Sequence, residues 1–341
     1  MEAASIPSGG RSKLGRSPLA RFPDRALRYG LTLLAALILA LIVYFFVRLV
    51  GEARPAFAKE GVLGFTFTNN WDVSTEHFGA LPLVVGTLLT SGLALVIGVP
   101  VAVATALYVT ELCPRRIKAP ITVLIELLAA VPSVVYGLWG IFFLAPKLQP
   151  AEQWVADRLS FIPFIGGGTV TIPNYFVASL ILAIMILPIV SAISREVMAT
   201  VPADHKEAAL GLGATRWEMI RIAVLPYCRG GIVGGAMLGL GRAIGETIAV
   251  TIVIGDAPQL GSHLFGQGYT LAAVIANEFG EATGLHRSAL FAAALVLFVL
   301  TLLVNALARL LVQRAGRSTT QAAGGTQVGV ANMAEAAAIG A

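Results

Sequence analysis

The stretch GIVGGAMLGLGRAIGETIAVTIVI, residues 231–254, contains no charged residue except Arg242 and Glu246. A helix needs about 20 apolar residues to cross the hydrocarbon core of a bilayer. Backbone groups in hydrocarbon find no water to bond, so a stretch of this kind must be helical. The stretch therefore predicts a membrane-spanning helix that carries a cation and an anion near its middle.

Composition extends this prediction to the whole chain. Of the 341 residues, 57% are hydrophobic and only 13% are charged, whereas soluble domains carry about 25% charged residues. We therefore expect an all-α integral membrane protein with six transmembrane helices in a membrane domain at residues 26–313. Besides residues 231–254, the runs long enough to span a bilayer are residues 26–50, 81–109, 119–144, 175–193 and 289–311. Pro132 is expected to kink the third of these six helices.

The distribution of lysine and arginine predicts the orientation of the helices. The predicted spans place 17 of the 24 Lys and Arg residues on the side that holds both chain ends, six on the other side, and Arg242 inside the membrane. Cytoplasmic loops of membrane proteins carry the excess of Lys and Arg. We therefore expect both termini in the cytoplasm, with residues 1–25 as a disordered basic tail and residues 314–341 as a flexible tail. Because topology explains the net charge of +5, we expect a lipid bilayer, and no nucleic acid, as a partner.

A stripe of small and charged residues runs along the helix predicted at residues 231–254. Gly231, Gly235, Gly239, Arg242 and Glu246 follow one another at steps of three or four, which places them on one helix face. Glycines at this spacing let another membrane helix approach closely. We therefore expect the glycines to form a helix-packing surface and the two charges to point into the bundle.

The charges themselves suggest a transport path. Charged side chains at membrane depth are costly, and they usually mark a path for a substrate or ion. Glu246 lies one turn from Arg242 and can pair with it, and Glu126 in the third predicted helix is a second candidate partner. A cation in a hydrated cavity suits an anionic cargo, so Arg242, Glu246 and Glu126 are candidate residues of a translocation path. The alternative is a buried ion pair that only fixes helix register.

The fourth connection contains signals for two short helices at residues 202–226. Asp204 can cap a first helix, which Gly211 or Gly213 can end with a left-handed residue. Thr215 and Glu218 have the spacing of a capping box for a second helix. These signals predict a structured helical hairpin on the cytoplasmic face.

The second helix of this hairpin is expected to end near Pro226, because proline inside a helix removes a backbone hydrogen bond. A structured hairpin is suited to docking a partner protein. An ordinary connecting loop with well-formed caps is the alternative, and spacing alone does not decide between them.

The sequence EAALGLG at residues 207–213, followed by Leu225–Pro226, resembles the EAA signature of the permease subunits of ABC importers. The resemblance implies that the hairpin fits a groove on an ATPase subunit and transmits its movement to the membrane helices. Ala223 departs from the family pattern, in which an aliphatic residue is usual. The residues assigned to this coupling are Glu207, Ala208, Ala209, Gly213, Trp217, Leu225 and Pro226.

Longer segments narrow the resemblance. FGALPLVVGTLLTS at residues 78–91, ELLAAVPSVVYGLWG at residues 126–140 and GRAIGET at residues 241–247 are similar to PstC-type permeases of phosphate ABC importers. This implies the type I importer bundle in a bacterial plasma membrane, paired with a PstA-like permease subunit, two PstB-type ATPases and a PstS-type phosphate-binding protein. The chain has no phosphate-binding loop of the G-x-x-x-x-G-K-[ST] type, so we expect no cofactor on it: the ATPase partners would bind ATP and magnesium.

Other functions stay open at this stage. A permease for sulfate, molybdate or phosphonate would need the same central cation. An ATP-independent channel or secondary transporter is a further alternative, and uptake that persists after deletion of the partner ATPase would favour it. A membrane-embedded enzyme would need a nucleophile and base, or metal ligands, at membrane depth, and the sequence offers no such set. We therefore expect a transporter subunit, not an enzyme.

Overall fold

The computed structural model describes residues 22–162, 164–166, 168–261 and 263–310. Residues up to Gly51 and residues from Glu52 onward form two compact units. The predicted tails, residues 1–25 and 314–341, lie outside the described residues except for residues 22–25, which begin the first helix.

The described chain is almost entirely helical. In chain order its elements are α1 (Phe22–Glu60), α2 (Val62–Phe67), β1 (Trp71–Asp72), β2 (His77–Phe78), α3 (Leu81–Leu107), α4 (Arg115–Ala130), α5 (Ser133–Trp139), α6 (Ala145–Arg158), α7 (Tyr175–Ala199), α8 (Ala203–Gly211), α9 (Arg216–Met219), α10 (Leu225–Gly245), α11 (Ile248–Ile254), α12 (Leu271–Glu278) and α13 (Gly284–Leu310). Wider π turns extend α3 at Tyr108–Leu112, join α5 to α6 at Gly140–Leu144, and join α9 to α10 at Ile220–Val224.

The expected set of membrane-spanning helices is confirmed with one helix broken. Within the described residues, five helices are long and apolar enough to cross a membrane, and a bent helix pair raises this to six if the pair is one span. The single helices are Ala26–Glu60, Leu81–Leu112, Tyr175–Ala199, Arg216–Gly245 and Gly284–Leu310.

The bent pair replaces the straight third helix predicted at residues 119–144. Its two parts, Arg115–Ala130 and Ser133–Arg158, meet at an angle of 91°. Val131 between them is extended, with φ −68° and ψ 127°. Proline disfavours helical geometry in the residue before it, so Pro132 produces the break, and the predicted kink is confirmed.

The helix predicted at residues 231–254 has different ends from those expected. The observed helix begins at Arg216 and stops at Gly245, and the segment that follows is the separate helix α11. Glu246 is extended, with φ −71° and ψ 129°. The expected end at Pro226 is also wrong, because the π turn Ile220–Val224 already shifts the backbone hydrogen bonds there, and Leu225 N–H bonds to Ile220 O. The missing proline N–H therefore does not interrupt the helix.

Helix α7 forms the centre of the second unit. In the apolar window of α7, 61% of residues are buried, against 28% in that of α3. Helices α3 and α10 pack along α7. Buried hydroxyls such as Thr87 and Ser179 donate to carbonyls of their own helix, at 2.7 and 2.8 Å, so these polar groups are satisfied without water.

The loops between α1 and α3 pack against α12 and α13 at the end of the bundle opposite the hairpin. Strands β1 and β2 form a short antiparallel hairpin in which Trp71 faces Phe78. Trp71 Nε1 donates to Glu278 Oε2 at 3.1 Å, and the ring of Phe78 stacks on His286. In the turn, the Asp72 carboxylate accepts hydrogen bonds from Ser74 and Thr75, which lower its pKa to about 2.

Candidate functional site: a charged helix break and a helical hairpin

Arg242 and Glu246 form an ion pair, as their spacing predicts. Arg242 Nη2 lies 3.6 Å from Glu246 Oε2. The Arg242 side chain is 45% exposed, whereas the Glu246 side chain is 7% exposed. The carboxylate is thus held inside the bundle, and the guanidinium is held at the surface of the chain.

The pair spans a break between two helices, not a turn of one continuous helix as expected. Gly245 is a weak helix former, and α10 ends there. Glu246 Oε1 accepts a hydrogen bond from Ala249 N at 3.4 Å, at the start of α11. The same carboxylate therefore caps α11 and pairs with Arg242, which lies in the last turn of α10, where a cation interacts favourably with the helix dipole.

The position of a helix break in a membrane indicates what surrounds it. Irregular backbone at membrane depth is tolerated where it is buried in protein or lines a water-filled cavity. Here the break presents an exposed guanidinium beside a buried carboxylate. This arrangement can attract and release a small anion.

Glu126 does not pair with Arg242. Its Oε1 lies 3.3 Å from Arg195 Nη2, and Arg195 Nη1 donates to Thr122 Oγ1 at 2.9 Å. The position of Arg195 within α7, not in the following loop, is the feature that sequence reasoning missed. Helix α7 continues through SAISREVMA to Ala199, so Arg195 lies a full turn before the helix ends.

The predicted glycine stripe packs against α7. A Cβ atom at Gly235 would lie 3.2 Å from Ile193, one at Gly239 would lie 2.9 Å from Val190 Cγ2, and one at Gly231 would collide with the Val197 side chain. These contacts fix the register of α10 on α7 and therefore the height of Arg242 in the bundle.

The hairpin has the two helices that the sequence predicts, but its first cap differs. Helix α8 begins after Pro202, and the Asp204 side chain makes no cap hydrogen bond, so the predicted Asp204 cap is wrong. Asp204 lies in the first turn, where a negative charge is favourable. Gly213 is left-handed, with φ +86°, as expected.

Backbone and side-chain bonds close the hairpin turn. Gly213 N bonds to Leu210 O at 3.0 Å, and Ala214 N bonds to Ala209 O at 3.2 Å, which is a Schellman motif. The predicted capping box is confirmed: Glu218 N bonds to Thr215 Oγ1, and Thr215 N bonds to Glu218 Oε2 at 2.7 Å. The two short helices are thus held in a fixed relation.

One face of the hairpin is exposed and the other is packed. Glu207, Ala208, Gly213 and Trp217 are exposed. Among the buried residues, Val224 and Cys228 join a small core with the ends of α3 and α7, and the half-buried Ala209 and Leu225 pack on that core. Pro226 is half-buried at the start of α10.

An ion pair ties the hairpin to α3. Lys206 Nζ of α8 lies 2.7 Å from Glu111 Oε1, which belongs to the π turn Tyr108–Leu112. The Glu111 side chain is largely buried, so the hairpin contacts α3 through a charge pair as well as through the apolar core.

The chain matches a known transport family. Residues 98–317 match the family described as the binding-protein-dependent transport system inner membrane component. Among the described residues, no cluster of three or more His, Cys, Asp or Glu side chains is arranged to hold a metal ion.

The chain is similar in sequence to curated relatives along most of its length. The chain is 45% identical to the phosphate transport system permease protein PstC of Mesorhizobium japonicum over 291 residues, covering 82% of this chain and 88% of that protein. It is 46% identical to PstC of Pasteurella multocida, covering 74% and 80% of the two chains. It is 38% identical to PstC of Xylella fastidiosa strain Temecula1, covering 93% and 99%.

Solved structures support the same fold. A crystal structure of a bacterial ABC transporter involved in the import of the acidic polysaccharide alginate matches with a TM-score of 0.54 and 20% sequence identity, covering 83% of this chain and 95% of that chain. At this identity the similarity applies to the fold alone.

Proposed function

The chain belongs to the family of binding-protein-dependent transport system inner membrane components, and we propose that it is the membrane-spanning, PstC-type permease subunit of an ATP-driven importer of inorganic phosphate. The observation that carries this proposal is the identity of 38–46% with curated PstC permeases over most of the chain. The exposed cation at the helix break agrees with an anionic cargo.

The chain is a non-enzymatic, multi-pass membrane component of an ABC transporter. Its relatives are named permease subunits, and its helices are long and apolar enough to span a bilayer. The energy for transport must then come from partner subunits. We propose two PstB-type ATPases, which bind ATP and magnesium, below the hairpin.

The remaining partners and the location are part of the same proposal. A PstA-like permease completes the pore, and a PstS-type protein delivers phosphate at the end of the bundle that carries the β-hairpin. The excess of Lys and Arg on the hairpin side supports an orientation with the hairpin and both termini in the cytoplasm, and we place the chain in a bacterial inner membrane.

Arg242 is the residue assigned to the cargo. Phosphate at neutral pH carries one or two negative charges, and crossing a hydrocarbon core is costly for an anion. An exposed guanidinium on the path lowers this barrier. Glu246 holds Arg242 in place and keeps the net charge of the site low, so that phosphate is attracted without being trapped.

The exposed side of the charged pair requires a second subunit. Arg242 is 45% exposed and Glu126 is 61% exposed on this chain, and neither charge is stable against lipid. A PstA-like subunit facing them would enclose a hydrated passage between the two chains.

One continuous helix couples movement of the hairpin to movement of Arg242. Helices α9 and α10 form one helix, Arg216–Gly245, which begins in the hairpin and ends three residues after Arg242. An ATPase that moves the exposed face of the hairpin therefore moves the guanidinium through a single rigid element, and access to the site alternates between the two membrane faces.

Reconstitution tests this proposal. The chain is purified with its three partner proteins, placed in vesicles with ATP inside, and supplied with radioactive phosphate, sulfate, molybdate or phosphonate and the binding protein outside. We expect ATP-dependent uptake of phosphate alone. Uptake of another oxyanion in place of phosphate would contradict the cargo, and uptake that persists with a hydrolysis-deficient ATPase would indicate a channel or secondary transporter.

A further inference from the structure

Arg195 of α7 is bonded to two residues of α4, and its buried Nε–H group is left without an acceptor. Its side chain is 15% exposed. Nη1 donates to Thr122 Oγ1 at 2.9 Å, and Nη2 pairs with Glu126 Oε1 at 3.3 Å. The Nε atom is buried and has no hydrogen-bond partner among the described residues. The guanidinium is therefore oriented by two contacts while its third side lacks an acceptor.

Two buried hydroxyls of the same helix segment also lack partners. Ser191 Oγ and Ser194 Oγ are buried without a hydrogen bond to any described residue. Elsewhere in the bundle, Ser179 and Thr87 donate to the carbonyl four residues earlier, at 2.8 and 2.7 Å. Ser191 is one turn before Arg195, on the same face of α7. Unsatisfied buried polar groups are rare in native proteins and call for an explanation. An oxyanion would supply the acceptors that this segment lacks.

The glycine contacts give the height of Arg195 relative to Arg242. Gly235 packs on Ile193 and Gly231 packs on Val197, so Arg195 is level with the middle of the segment between these glycines. Arg242 lies about nine residues further along α10, which corresponds to about 13 Å along the helix axis. Arg195 is therefore the nearer of the two cations to the hairpin.

Arg195 is not placed like an arginine that only marks the cytoplasmic side of the membrane. An arginine that marks the cytoplasmic side extends its charged end into water, whereas Arg195 is held inside the bundle. Its partner Glu126 is 61% exposed, so the carboxylate is the exposed member of this pair, whereas the guanidinium is the exposed member of the Arg242 and Glu246 pair. Two guanidinium–carboxylate pairs thus lie at different depths along this chain.

We propose that Arg195, held by Glu126 and Thr122 in the helix segment that also carries the unpartnered hydroxyls of Ser191 and Ser194, is a second phosphate-binding position on the path, about 13 Å nearer the hairpin than Arg242. This inference rests on the proposed phosphate transport. Conduction requires sites that bind phosphate weakly enough to release it. A second site shortens the distance that the anion crosses without a positive charge nearby. Phosphate passes from Arg242 to Arg195 when the path opens toward the ATPases.

Substitutions of Arg195 distinguish a requirement for its positive charge from a requirement for the shape of its guanidinium group. The assay is uptake of radioactive phosphate by vesicles that hold the whole complex, with R195K, R195Q and the control R116Q, which removes an exposed charge from α4. We expect R195K to keep at least about a third of wild-type uptake, R195Q to lose at least tenfold, and R116Q to match the wild type. A structural clamp needs the two-pronged guanidinium, which lysine cannot reproduce. Equal losses in R195K and R195Q would therefore overturn the proposal, as would normal uptake by R195Q.

A milder variant covers the case in which R195Q fails to assemble. The double variant S191A/S194A removes two unpartnered hydroxyls, so a purely structural role predicts unchanged or higher stability and unchanged uptake. We expect a two- to fivefold rise in the phosphate concentration needed for half-maximal uptake, with normal assembly. An unchanged concentration would contradict the role of these hydroxyls in binding.

The same vesicles distinguish an error in the proposed cargo from an error in the proposed second binding position. Wild-type vesicles that import a different oxyanion refute phosphate as the cargo, and the Arg195 comparison is then made with that anion. Wild-type phosphate uptake combined with wild-type behaviour of R195Q refutes only the second binding position.

Discussion

Trp217 of the hairpin and Arg242 of the charged pair lie on one uninterrupted helix, Arg216–Gly245. The two residues are about 25 positions apart, which corresponds to about 38 Å along the axis. The helix passes through the π turn Ile220–Val224 and Pro226 without ending. The exposed face of the hairpin and the exposed cation therefore belong to the same helix.

Arg242→Ala removes the cation from the proposed path. We expect loss of phosphate uptake by at least tenfold, because the anion then crosses the bundle without a compensating charge. Arg229→Ala, which removes an exposed charge from the start of the same helix, is the control and should transport normally. Copurification of the partner subunits checks that both variants assemble. Normal uptake by the Arg242 variant would remove this residue from the mechanism.

Gly231→Ala tests the packing of α10 on α7. A Cβ atom at Gly231 collides with the Val197 side chain, whereas a Cβ atom at the neighbouring Gly230 meets nothing within 4 Å. We expect Gly231→Ala to destabilise the protein by about 1–3 kcal/mol and Gly230→Ala to have little effect or to stabilise it slightly. Thermal unfolding of the purified complex measures the difference, and equal midpoints would contradict the described packing.

Gly213→Ala tests the turn of the hairpin. Gly213 has a φ of +86°, and a left-handed conformation costs a residue with a Cβ atom about 1–2 kcal/mol. Gly211→Ala is the control because Gly211 ends α8 in open space with an ordinary φ. We expect weaker retention of the ATPase on the Gly213 variant alone in a pull-down. Equal retention would count against the hairpin as the docking element.

The pair Lys206 and Glu111 tests how the hairpin is joined to α3. Breaking a buried pair leaves an uncompensated charge, and with Lys206 22% exposed we expect a cost of about 2 kcal/mol, below that of a fully buried pair. K206E should lower ATP-driven uptake, and the exchange E111K/K206E should restore at least half of it. An exchange variant that is as inactive as K206E would show that attraction between the two charges is not what holds the hairpin.

Local signals in the sequence predicted several of the contacts between residues that are close in the chain. The four-residue step between Arg242 and Glu246 predicted their pairing, and the Thr215 and Glu218 spacing predicted the capping box. These predictions succeed because the interacting groups are close in sequence, although Arg242 and Glu246 meet across the helix break and only the capping box follows from regular helix geometry.

The features that the sequence did not reveal depend on distant residues or on shifted backbone bonds. Pro226 was expected to end a helix, but the π turn before it already displaces the hydrogen bonds that proline would break. The break at Glu246 depends on its carboxylate capping α11. Glu126 pairs with Arg195 across two helices, and no spacing rule relates residues so far apart in the chain.

The most direct test of the account is the number of phosphate ions imported per ATP hydrolysed when the helix between the hairpin and Arg242 is interrupted. Gly234 lies on this segment, and a Cβ atom there meets nothing within 4 Å, so Gly234→Ala is a matched control for Gly234→Pro. Proline inside a helix costs about 3 kcal/mol or more and kinks it. We predict that the proline variant keeps ATP hydrolysis stimulated by the binding protein, while its phosphate-to-ATP ratio falls at least tenfold below that of the alanine variant. Equal ratios in an assembled complex would contradict the claim that this helix carries the movement to Arg242.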